Sequence, residues 1–77
     1  MNEYQYTVIL YPELDEGGYS VTVPALPGCV TQGETLEEAI AMAKDAIRLY
    51  LEALRDEGEP IPEEQIHPQA IVINVAA

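Results

Sequence analysis

Ser20, Cys29 and His67 are each the sole residue of their type in the chain. A nucleophilic serine or cysteine paired with a histidine would therefore have to be assembled from them. A serine relay needs a histidine within hydrogen-bond reach and an acid to orient it, but Ser20 and His67 fall in segments that need not meet. A Cys29–His67 pair would require an exposed, activated thiol. A cysteine that follows Pro27-Gly28 into a strand reads instead as a small buried hydrophobe. His67, placed before Pro68 in a connecting segment, reads as a surface or strand-lead residue. One cysteine and one histidine supply too few ligands for a structural zinc and allow no internal disulfide. No cofactor or metal is expected.

Carboxylates are the abundant chemical group, fourteen against three basic residues, for a net charge of −11. Paired acids can hold magnesium or hydrolyse a glycoside. Here Glu37, Glu38, Asp45, Glu52, Asp56, Glu57, Glu59, Glu63 and Glu64 fall on the outer face of a helix or in loops, and the predicted strands carry none. That is the pattern of a solvated acidic coat. The same charge opposes nucleic-acid binding through phosphates. The three cations Lys44, Arg48 and Arg55 make no patch, and the five tyrosines have no cations between them with which to hold bases. Gly28 and Gly33 lack the Lys-Ser/Thr of a phosphate loop. The acidic exterior has two compatible readings: solubility, and a face that steers toward a basic protein.

The elements that position these groups follow from pattern. Tyr4–Tyr11 and Tyr19–Val23 alternate as strands, joined by a polar turn through Gly17-Gly18, which favours an antiparallel hairpin. Pro24 ends the second strand. Pro24, Pro27 and Gly28 form a rigid elbow leading to a short strand at Cys29–Gln32, and Gly33 is expected to let the chain bend toward the helix. Thr35 and Glu38 form a capping box. Leu36, Ala39, Ile40, Ala43, Ile47, Tyr50, Leu51 and Leu54 then lay an apolar stripe along a helix that Gly58 and Pro60 terminate. Ala70–Val75 alternates as a last strand, far enough past the helix to pair in parallel. The expected fold is α+β, β-β-β-α-β, a small mixed sheet with one long helix on one face. Residues 1–77 form one domain. A domain this small is marginal without help, so self-association through sheet edges or apolar surface, or a partner, is expected. No basic-then-apolar leader and no apolar run of membrane-spanning length is present. A cytoplasmic location without membrane contact is expected.

The run from Tyr19 through Pro24-Ala25-Leu26-Pro27-Gly28-Cys29 to Gly33-Glu34-Thr35-Leu36-Glu37-Glu38-Ala39 resembles the signature of the HicB antitoxin family. Ala43–Ile47 and Gly58–Pro62 resemble the family's pattern as well. The resemblance implies a truncated ribonuclease-H-like fold and no catalysis, since the acidic active set of ribonuclease H has no counterpart on these strands. It also implies a role in neutralising HicA, a small basic toxin that cleaves messenger RNA. Many members carry a further DNA-binding domain; this chain stops at Ala77, so no direct nucleic-acid contact is expected. Outward acids are the candidate partner contacts: Asp15, Glu16, Glu37, Asp45, Glu52, Asp56, Glu63 and Glu64. The alternative is a solo member that mainly self-associates or binds a small ligand, without a toxin.

Overall fold

The computed structural model describes residues 3–77; residues 1 and 2 of the expected 1–77 unit lie outside the described residues. Strands β1 (Ile9–Pro12), β2 (Tyr19–Thr22) and β3 (Val30–Gly33) form one antiparallel sheet in the order β1-β2-β3, and helix α1 (Leu36–Asp56) follows. The register pairs Leu10 with Val21 and Val21 with Thr31. Val8, Leu10, Tyr19 and Val21 thus gather beneath Ala39 and Ala43 of the helix. A second cluster joins Val23, Leu26 and Cys29 of the elbow to Tyr6, Ile47, Tyr50 and Leu51.

The elbow forms as its residue types dictate. Pro27 and Gly28 occupy the centre of a turn closed by the Cys29 N–H donating to the Leu26 carbonyl at 2.9 Å, with Gly28 at φ +81°, a conformation open to glycine at no steric cost. The Tyr50 hydroxyl donates to the Pro27 carbonyl at 2.8 Å, tying the elbow to the helix. At the helix start, the Thr35 hydroxyl accepts from the Glu38 N–H at 3.0 Å. The Glu38 carboxylate accepts from the N–H of Glu34 at 3.2 Å, one residue before the position an ideal capping box would satisfy. The helix closes as Glu59 and Gly58 donate to the carbonyls of Leu54 and Arg55, a Schellman arrangement.

Three expectations change. Strand pairing begins at Ile9, not Tyr4: continuing the register would set Thr7 opposite Pro24, which has no N–H for a ladder. Gly33 does not bend the chain through a positive φ; it permits contact. A Cβ there would lie 2.4 Å from the Ala39 nitrogen and 2.6 Å from its Cα. Finally, Ala70–Val75 joins no sheet, so the sheet is antiparallel rather than mixed and the element order is β-β-β-α among the described residues. The connection after the helix is stiffened by Pro60, Pro62 and Pro68 and held against Tyr6 and Thr7, and the segment beyond it runs out exposed.

Gly33→Ala forces backbone against backbone, and overpacking of this kind costs about 1–3 kcal/mol. Urea unfolding should show a lower midpoint with an unchanged slope.

Candidate partner-binding surface

The candidate acids separate into distinct settings. Asp45 and Glu52 flank Arg48, whose guanidinium lies 3.0 Å from Asp45 and 3.9 Å from Glu52. All three side chains are more than half exposed, so the pairs add little stability, but they offset part of the charge on that face. Glu37 stands exposed in the first helical turn, Asp56 in the last, and Glu63 in the connection that follows.

A denser group forms where the β1–β2 turn meets the β3–α1 junction. The register sets Tyr19 beside Gly33, and the two segments touch so closely that a Cβ on Gly18 would fall 2.6 Å from the Gly33 carbonyl oxygen. Glu13, Asp15, Glu16, Glu34 and Glu38 consequently line one cleft of about 620 Å³, and no lysine or arginine lines it. Asp15 and Glu16 were expected at a surface. Glu13 and Glu34 escaped sequence reasoning because the sheet register, a non-local property, brings them together, and Glu38 was expected only as a cap. Among the described residues no three His, Cys, Asp or Glu side chains group in a way that could hold a metal ion. The cleft therefore offers a spread of negative charge suited to several cationic side chains at once.

Glu64 is the exception among the candidates. Its side chain is only 7% exposed. It accepts from the Thr7 N–H at 2.9 Å, the Thr7 hydroxyl, and the Nδ1 of His67; Nε2 of His67 lies 3.2 Å from Gln5 Oε1. Hydrogen bonds from His67 and then from the hydroxyl and backbone of Thr7 lower the Glu64 pKa from 4.5 to about 2, outweighing the opposing effect of desolvation. Thr7, Glu64 and His67 share the residue types of a catalytic relay, but the carboxylate sits in the middle as acceptor from both sides. At that pKa it is a poor base and cannot activate the threonine hydroxyl. The trio is a clamp that supplies Thr7 with the hydrogen bond its strand lacks. Cys29 is buried and its thiol is pushed up by desolvation, the reverse of what a nucleophile needs.

A group whose folded pKa lies below its unfolded value stabilises above the unfolded value and loses that effect as pH falls. The Glu64 clamp should be complete above about pH 4.5 and fade toward pH 2. The amide resonance of Thr7 should follow that titration, and Glu64→Gln should abolish it while leaving the helix resonances in place.

Comparison with known proteins gives a consistent result. The profile described as the HicB-like antitoxin of bacterial toxin–antitoxin systems matches residues 6–73. A UPF0150 protein of Synechocystis is 47% identical over 72 residues, covering 91% of this chain and 90% of that protein. Antitoxin HicB 1 of Photorhabdus laumondii is 45% identical over 75% of this chain and 37% of its own length. Antitoxin HicB of Escherichia coli is 41% identical over 75% of this chain and 41% of its own length.

Proposed function

The chain belongs to the HicB-like antitoxins of bacterial toxin–antitoxin systems, and on that premise we propose that it binds a small, basic, HicA-like messenger-RNA-cleaving toxin and blocks the toxin's cationic RNA surface. The action is occlusion, not catalysis. The observation that supports this reading most is the five-carboxylate cleft of Glu13, Asp15, Glu16, Glu34 and Glu38, set on a body carrying −11 overall. A protein surface evolved to hold RNA presents lysine and arginine, and an acidic cleft competes for the same groups that phosphates would take. The net charge accelerates encounter with such a partner and discourages nucleic acid itself. Glu37, Asp56 and Glu63 extend the negative exterior, and Asp45 and Glu52 contribute less because Arg48 stands between them. No helix among the described residues is long and apolar enough to cross a membrane, and the proposed setting is the cytoplasm, where messenger RNA is translated.

The test is co-purification with any small basic protein encoded beside this gene, followed by titration. Asp15→Lys together with Glu34→Lys should weaken binding about tenfold or more at low salt, since like charges facing across an interface cost several kcal/mol. The difference should shrink at high ionic strength. Asp45→Lys serves as the control and should change little. Affinity indifferent to both salt and the cleft substitutions would refute the proposed mode of binding.

A further inference from the structure

The face of the sheet turned away from the helix is built without charge, on a chain that carries −11. Val21 is buried against Ala39 and Ala43, so its cross-strand neighbours Leu10 and Thr31 point toward the helix with it, and the residues that alternate with them point out. The register arranges those outward residues in two rows. Ile9, Thr22 and Val30 make one, and Tyr11, Ser20 and Gln32 make the other. All six are neutral. Tyr11 and Val30 are 52% and 65% exposed. A sheet face that meets only water takes polar side chains along its strands; this one sets two aliphatic side chains and a threonine methyl side by side.

Two observations say what belongs there. The first is continuity. Ser20 and Gln32, in the row nearer the β1–β2 turn, also line the acidic cleft. Strand geometry puts the row of Ile9, Thr22 and Val30 about 7 Å beyond them, so a partner seated in the cleft meets that row without leaving the surface. The second is charge. The carboxylates are gathered in the cleft, and a lysine laid across Ile9, Thr22 and Val30 would lose hydration without gaining a partner. The two parts call for opposite chemistry within one footprint. Three strands are about 10 Å across, the width of a single helix.

Resting on the toxin-binding reading above, we propose that the partner covers both parts at once: its cationic side chains enter the cleft, and an apolar stripe on the same element packs across Ile9, Thr22 and Val30. The occupant is a basic protein presenting an amphipathic helix with lysine or arginine at one end of its apolar stripe. The two parts divide the work. The cleft supplies attraction and orientation, which salt screens. The neutral row supplies apolar burial, which salt does not screen. It also supplies specificity, because a polycation that lacks the stripe fills the cleft alone.

The discriminating substitution is Val30→Asp, measured against the small basic protein captured by co-purification. It adds a negative charge to the surface, so electrostatic attraction alone would leave binding unchanged or make it tighter. Burial of Val30 beneath an apolar stripe instead makes binding about tenfold weaker or more, at high salt as at low. On binding, the amide resonances of Ile9, Thr22 and Val30 should shift together with that of Glu34. Should Val30→Asp fail to fold, Val30→Thr keeps the β-branched shape and should weaken binding in the same salt-insensitive way. Unchanged or tighter binding by these variants, or resonance shifts confined to the cleft, would overturn this proposal and leave the cleft reading standing. Affinity indifferent to Asp15→Lys with Glu34→Lys, or the absence of any basic partner, would overturn both.

Discussion

The contact on which the rest of the structure depends is the near-touching of backbones at Gly33 and Ala39. No side chain fits between them, and the next helical position toward the sheet, Ala43, is again small and buried. Small residues on both sides let the helix sink onto β3 and β2, and the capped turn at Thr35 orients it as it leaves the strand. Close packing of this kind is stiff: it cannot stretch by a fraction of an ångström without losing contact along the whole seam. Two features follow from that placement. The β3–α1 junction is drawn against the β1–β2 turn, which gathers five carboxylates, and the far side of the sheet is left bare.

The carboxylates illustrate how one residue type serves two ends. Glu38 caps a helix and Glu64 fastens a connection, each by accepting hydrogen bonds from backbone N–H groups. Glu13, Asp15 and Glu16 bear charge with little structural duty, since they sit on an exposed turn. A family whose members neutralise toxins needs a surface whose charge can vary without threatening the fold, and turns meet that need better than strands.

Much of the architecture was legible in local pattern. The alternation of Tyr19–Thr22, the Pro27-Gly28 turn and the Thr35 cap each report a short-range physical preference and appear in place, and the helical stripe packs through Ala39, Ala43, Ile47, Tyr50 and Leu51 while Leu36 and Ile40 stay exposed. What eluded sequence reasoning was non-local. Nothing near Thr7 announces that Pro24 will lie opposite it, and nothing near Glu64 separates it from the loop acid Glu63 beside it; only the tertiary path turns one of them inward. Ala70–Val75 shows the same limit from another side. Its alternation states that it suits a sheet, without stating which sheet or where. The acidic cleft, assembled by register, was only half visible as the pair Asp15 and Glu16.

The single thiol offers a final consequence. Cys29 is shut inside the elbow cluster beneath Tyr50 and Leu51, so an alkylating reagent can reach it only when that cluster parts. The rate at which the intact protein reacts is then a gauge of how often the corner opens. One atom, already present, lets the breathing of this molecule be timed without adding a probe.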